Sequence, residues 1–328
     1  MQPGVEIIFF ISGKTLDEKF VYKLVEPLIS MGSKYKEPPE KLRGTKGFPA
    51  TLEDQIRDVL SSDNRCRWID FIYKGIYYEL LLYPDNPFRY RESKLGEVRI
   101  WVPESALNPR WHEDELGEKE AFKRCVENAN SLIEVAKTVW NALEPKPIYG
   151  VGDDALDDPI PFHVFGPSEE NILNLKVEPY VFWLNFYGPE LVKKFGKEKL
   201  LSMPAYRVEE LDDGILFLES PLPPFYIRKY RRETCKKIRD HFGWKVYDLD
   251  VFDPERLVVK ERGAYEKEFR YMSILKEYME IEIEEFRSRG YRIFVFLEVP
   301  STKPIPEHVK EIENWLRGKG VNVKIVRW

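Results

Sequence analysis

The stretch WIDFIYKGIYYELLLY, residues 68–83, leaves a chain few choices. Two runs rich in β-branched and aromatic residues, 67–73 and 76–83, are separated only by Lys74-Gly75. A two-residue connection closes a hairpin and is too short for a crossover, so the two runs are expected to be neighbouring antiparallel strands. More strand signals lie nearby. Residues 5–12 are β-branched and aromatic and end at Gly13, and 97–102 alternate charged and apolar residues, as a strand with one wet face would. A weaker fourth candidate covers 159–165.

Helix signals are segregated from these strands. Over 16–31, Phe20, Leu24, Leu28 and Met31 share one face, with Pro27 placed to kink the helix or end it early. Thr51 is a cap with Asp54 three residues on, and Leu60 closes that helix. The longest signal runs over 115–143. Ala121, Cys125, Ala129, Leu132, Ala136, Val139 and Leu143 form its apolar stripe, and Pro145 and Pro147 stop it. Residues 1–222 therefore read as an α+β domain with a mainly antiparallel sheet. After the PLPP of 221–224 the grammar changes. A basic helix over 228–242 precedes strands at 244–249, 257–259, 293–299 and 321–327, with helices at 265–289 and 307–316. That order predicts a smaller α/β domain, 225–328, with a short parallel sheet.

Apolar residues make up 43% and aromatics 14% of the 328 residues, enough to bury a sizeable core. Charged residues reach 33% and are rich in Lys and Glu, a balance that points to a thermophilic source. The net charge of −5 argues against nucleic-acid binding through overall charge and leaves a local basic patch open. Cys66, Cys125 and Cys235 are scattered, with no CxxC pair, so neither a disulfide framework nor a zinc site is expected. The apolar run at 7–11 is too short for a signal segment. No stretch approaches the roughly 20 apolar residues of a membrane span. A soluble, cytoplasmic protein is expected.

Motifs that carry chemistry are sparse. His112, His163, His241 and His308 lie far apart in sequence. There is no GxSxG, P-loop or GxGxxG, so no cofactor is expected. Asp153, Asp154, Asp157 and Asp158 cluster on what reads as an acidic loop, 150–161. Such oxygens suit Mg²⁺ or Ca²⁺ without matching EF-hand spacing, and a solvated loop is the plainer reading. In 225–240, Arg228, Lys229, Arg231, Arg232, Lys236, Lys237 and Arg239 are interleaved with Tyr226 and Tyr230, a pattern suited to phosphates and base stacking. The plainer alternative is an exposed helix whose Ile227, Tyr230, Thr234 and Ile238 face the domain and whose cations pair with the acidic turn at 209–213. Asp248, Asp250 and Glu298 fall at or near strand ends, where carboxylates can gather round a nuclease metal, but no D…ExK pattern accompanies them.

The densest pattern is 179–219. An aromatic strand over 180–186 carries Trp183 and Asn185. It is followed by Gly188-Pro189-Glu190, a helix from Pro189 to about Phe195 ended by Gly196, then Lys199-Leu200-Leu201, Pro204-Ala205-Tyr206, Val208-Glu209-Glu210 and Gly214 before a strand at 215–218. With VWNALEPKPIYG ahead of it, this block resembles the C-terminal portion of polymorphic-toxin immunity proteins of the immunity protein 52 kind. The resemblance spans roughly 5–222 and is loose over the first hundred residues. It implies a non-enzymatic protein that binds and neutralises a protein partner, and it supplies no catalytic residues. Residues 225–328 lie outside it. From the residues themselves, aromatics on both strand faces imply a central strand, with Trp183 and Phe186 in the core. Three functions stay open: sequestration of a protein partner, nucleic-acid binding or metal-dependent cleavage in defence or repair, and a small-molecule sensor on the C-terminal α/β unit.

Overall fold

The computed structural model describes residues 4–12, 16–41, 43–44, 49–61, 68–83, 94–155, 169–178, 181–223, 228–244, 246–248, 284, 292–299, 304–305 and 307–327. The chain divides into two compact units, Met1–Ala155 with Pro167–Ile238, and Leu156–Gly166 with Arg239–Trp328.

Among the described residues, the first unit is built on a nine-stranded sheet. Its strands are β1 (Gly4–Ser12), β2 (Lys34–Tyr35), β3 (Trp68–Tyr73), β4 (Ile76–Tyr83), β5 (Leu95–Pro103), β6 (Tyr149–Ala155), β7 (Leu184–Tyr187), β8 (Arg207–Leu211) and β9 (Gly214–Leu218). Their order is β2-β3-β4-β5-β1-β6-β7-β9-β8, with every neighbouring pair antiparallel. The β3–β4 hairpin turns through Lys74 and Gly75 at φ 49° and 83°, the double left-handed turn that matches strand twist.

Local chemistry sets the helices α1 (Glu18–Ser30), α2 (Leu52–Leu60), α3 (Glu104–Leu107), α4 (Glu113–Leu116), α5 (Glu118–Ala142), α6 (Glu169–Leu173), α7 (Pro189–Phe195), α8 (Lys197–Leu201) and α9 (Arg228–Phe242). Asp17 caps α1 by accepting from the Phe20 amide at 2.8 Å. Thr51 caps α2 by accepting from the Asp54 amide at 3.1 Å, as its spacing predicts. Pro27 lies inside α1, which continues to Ser30. The long helix expected over 115–143 is broken at Gly117, φ 75°, into α4 and α5.

One face of the sheet packs beneath α1, α2 and α5. Val5, Ile7, Phe9 and Ile11 of β1 meet Val21, Leu24 and Leu28 of α1 and the apolar stripe of α5 in one core. At its centre the rings of Phe9, Trp140 and Phe186 lie 5.1–6.0 Å apart. On the opposite face α7 lays Phe195 against Tyr187, ring centroids 5.5 Å apart, and Tyr187 meets Phe217 edge-on at 5.2 Å. Trp183 and Phe186 are fully buried in the core, as expected, Phe186 in β7 and Trp183 just before it.

Two expectations are corrected. The acidic loop placed at 150–161 begins as β6, so Asp153 and Asp154 sit in a strand paired with Glu6 and Val5. Gly150 and Gly152 misled because they resemble loop punctuation. A Cβ on Gly150 would stand 2.7 Å from Phe9 Cδ1 and 3.1 Å from Phe186 Cβ, so the glycine there makes room for aromatic packing. The acidic turn at 209–213 is mostly β8, and only Asp212 and Asp213 turn. In addition, β7 starts at Leu184, not at 180. Asn185 accepts from the Phe182 amide and donates to its carbonyl at 2.7 Å, which ties Phe182 back onto Asn185 just before the ladder begins at Leu184.

In the second unit β10 (Val246–Asp248), β11 (Arg292–Val299) and β12 (Asn322–Arg327) form one sheet in which β11 pairs parallel with both neighbours. The helix α10 (Glu307–Gly318) buries Val309, Ile312 and Leu316. The strands expected at 159–165 and 257–259 lie outside the described residues, as does the helix expected at 265–289 apart from a helical Glu284. Among the described residues no helix is long and apolar enough to cross a membrane.

Gly150→Val forces a branched side chain into the Phe9–Phe186 contact. Unfolding in urea should show a loss of about 1–3 kcal/mol, the usual cost of overpacking. Adding Phe9→Leu should recover part of that loss, as coupled neighbours do. Strictly additive losses would refute the contact.

Candidate functional site

On the sheet face away from α1, α2 and α5, the register assembles a polar row. Asp70 of β3 pairs with Glu79 of β4, Glu79 with Trp101 of β5, Trp101 with Glu6 of β1, and Glu6 with Asp153 of β6. Four carboxylates and an indole thus lie in line across five strands. Glu97 and Arg99 share that face in β5. The wet face expected for 97–102 is corrected here: Glu97 is 2% exposed and Trp101 8%. Alternation of charged and apolar residues reports two different faces, and it says nothing about which of them meets water.

Arg99 is the organising cation. Its Nε donates to Glu97 Oε2 at 2.9 Å, its Nη1 stands 3.8 Å from Glu6 Oε2, and its guanidinium lies over the Tyr83 ring. Glu6 Oε2 and Trp101 Nε1 are buried and have no hydrogen-bond partner among the described residues. Burial raises the Glu6 carboxyl above its ordinary range, Arg99 opposes the shift, and Glu97 adds to it. Burial likewise raises Asp70 and Glu79. The Tyr77 hydroxyl lies 2.5 Å from Asp70 Oδ1 and 2.6 Å from Glu79 Oε1. A phenol has one proton, so it donates fully to only one of the two carboxyls at a time. Lys36, 3.7 Å over the Tyr77 ring, draws both carboxyls the other way. The row is a line of acids tied to one another through Arg99, Tyr77 and Lys36. It does not gather metal ligands, and among the described residues no three His, Cys, Asp or Glu side chains converge on a metal site. Only the period-two charges of 70, 79, 97 and 99 hinted at it, together with one Glu inside the apolar VEIIFFIS.

A second region faces outward. Between β5 and α5 the chain forms α3, a single 3-10 turn (Pro109–Trp111) and α4, and the turn and α4 both pack on α5. Trp111 is 63% exposed, and Leu116 and Phe122 are exposed as well. The segment is pinned. Asn108 Oδ1 accepts from the Arg110 amide at 3.1 Å, His112 Nε2 bonds the Ser105 carbonyl at 2.8 Å, and Asn128 Nδ2 donates to the Ala106 carbonyl at 2.7 Å. A lone Trp in the polar run NPRWHEDELGEK was the available signal.

The residues singled out in the sequence are not gathered. Asp153 is buried in β6 and the side chain of Asp154 lies outside the described residues, as do Asp157 and Asp158. The basic segment is helical, α9, with Lys236 and Lys237 exposed, Cys235 and Ile238 buried, and Thr234 half-buried. The side chains of Arg228, Lys229, Tyr230, Arg231 and Arg232 lie outside the description. Two of the acids proposed to pair with them are engaged elsewhere: Glu209 with Lys137 at 2.6 Å and with Arg207, and Glu210 with Lys197 at 2.5 Å. Asp248 pairs with Phe294, four residues before Glu298 along β11. That offset is about 13 Å along a strand, and Asp250 lies outside the described residues. Cys125 is buried and its thiol is pushed up to about 11 by burial, which leaves little thiolate.

The raised pKa of Glu6 means that the folded chain holds this proton more tightly than the unfolded chain. The associated stability is complete below the ordinary glutamate range and is lost as pH rises through the folded-state value. Glu6→Gln removes the charge and keeps the shape. Thermal unfolding should show a gain of about 1–3 kcal/mol at mildly alkaline pH, the cost of a buried carboxylate oxygen without a hydrogen bond. The gain should vanish in acid, where Glu6 is already neutral. A gain independent of pH would contradict a buried charge at Glu6.

No protein-family model matches the chain, and no curated protein is significantly similar to it.

Proposed function

We propose that the chain is a cytoplasmic, non-enzymatic binding protein, immunity-like, that sequesters a protein partner. The observation that carries this is Trp111, held 63% exposed on a segment fixed by side-chain hydrogen bonds, while Trp101, Trp140 and Trp183 are buried. A rigid aromatic kept in water costs solvation free energy, and that cost is recovered when a partner covers it. The inert setting of the Cys125 thiol also favours binding over nucleophilic chemistry. Residues 225–328 are taken as a smaller α/β domain on a short parallel sheet, supported by the parallel pairing of β11 with β10 and β12. Affinity capture from a lysate of the source cells, with and without nuclease, should recover one protein at stoichiometric amounts that survives nuclease. Turnover of a substrate by the purified chain, or failure to recover any partner, would overturn the proposal.

A second reading is a nucleic-acid-binding protein, or a metal-dependent nuclease, of defence or repair. It is favoured by the exposed Lys236 and Lys237 on the basic helix α9. Reversing the charge of Arg228, Arg231 and Arg232 should then abolish salt-sensitive binding to DNA or RNA oligonucleotides. Unchanged binding would remove α9 from consideration.

A further inference from the structure

We infer that the outer edge of β8 pairs with the same edge of a second copy of this chain, joining two sheets across a two-fold axis at Val208. The inference goes beyond the sequestering function and does not depend on it. Among the described residues β8 ends the sheet, with β9 as its single neighbour. Asp212 and Asp213 link the two strands, and Leu211 pairs with Gly214. A connection that short closes on a hydrogen-bonded pair, and bonded and open pairs alternate along an antiparallel ladder. Leu211, Glu209 and Arg207 therefore bond to β9, whereas the N–H and C=O groups of Val208 and Glu210 point away from it. Among the described residues no other segment takes these groups up. The edge also reaches solvent. Glu210 is exposed, Arg207 and Val208 are half-buried, and Tyr206, just before the strand, is 58% exposed. Such an edge is a template for another strand.

Side-chain order decides which strand fits. Two antiparallel copies related by a two-fold axis keep each side chain on its own face, so the axis passes through a residue opposite itself. An axis at Arg207 sets Arg against Arg, and an axis at Glu209 or Glu210 sets Glu against Glu. Like charges directly opposite are destabilising. An axis at Val208 sets Val against Val, and Arg207 of each copy then stands opposite Glu209 of the other. Arg207 already pairs with Glu209 of its own strand, so the four side chains form a square of alternating charge. Charges on an edge strand ordinarily discourage pairing, and here their order admits one register.

The wider charge balance allows this contact. Within the paired span 206–210, Arg207 and the bonded Lys137 and Lys197 stand against Glu209 and Glu210. The further acids, Asp212 and Asp213, lie in the turn beyond that span. A five-residue strand buries far less than a standard interface, so the dimer is weak and concentration-dependent.

Sedimentation equilibrium of the full chain, from roughly micromolar to millimolar concentration, should show a reversible monomer–dimer transition. Each copy brings one β8, so assembly through it stops at two. Val208→Pro deletes the outward N–H at the axis, a change that edge strands tolerate, and should abolish the dimer while keeping a cooperative thermal transition. Arg207→Glu and Glu209→Arg should each raise the dissociation constant roughly tenfold or more, because each sets like charges opposite one another. An equimolar mixture of those two variants should pair again, since each then offers the other the opposite charge. Pairing in the mixture also shows that both are folded. A monomer at every concentration, a dimer that persists in Val208→Pro, or two cooperatively unfolding charge variants that fail to pair when mixed would each overturn the assignment.

Discussion

Strand β1 is the member on which the first unit depends. It sits fifth of nine and forms ladders with β5 on one side and β6 on the other. Those partners begin at Leu95 and Tyr149, far along the chain, so the sheet's centre closes only when distant segments return to it. Loop-closure entropy opposes such pairing, and burial on both faces must offset it. That explains why GVEIIFFIS reads as an almost unbroken apolar run. Alternate residues serve two interiors, one under α1 and α5 and one on the reverse face.

The same register that buries Ile7 and Phe9 lines up Asp70, Glu79, Trp101, Glu6 and Asp153 on the reverse face. Buried carboxylates are costly unless neutralised, paired or hydrogen-bonded. All three remedies are visible. Arg99 pairs with Glu97 and reaches Glu6, Tyr77 bridges Asp70 and Glu79, and burial raises the Glu6 carboxyl above its ordinary range. The aromatic core under α5 supplies the stability against which this polar row is held.

The outer surface has the reverse anomaly. Most large aromatics of the first unit pack inward, with Trp140 and Trp183 fully buried, but the link between β5 and α5 holds Trp111 in solvent. Gly117 makes this possible. Its positive φ ends α4 and starts α5, so what periodicity reads as one helix becomes two elements. A continuous helix over 115–143 would have carried Leu116 and Phe122 along a single rod.

Much of the fold was legible because it is encoded locally. Lys74-Gly75 dictated a hairpin, Thr51 and Asp54 a cap, and Gly188-Pro189 and Gly196 the two ends of α7. These signals depend on backbone angles and hydrogen bonds within a few residues, which any sequence reader sees. Strands β6 and β8 were not legible. Gly150 serves Phe9 and Phe186, from other strands, and Glu209 serves Lys137 on α5. The candidate sites divide in the same way. The sequence by itself determined strand and helix chemistry, charge alternation and the presence of a Trp in a polar run. Only the tertiary structure decided that the alternating charges of β5 are buried and that Trp111 is not, because burial is a property of whatever packs against a face, and those residues are distant in sequence.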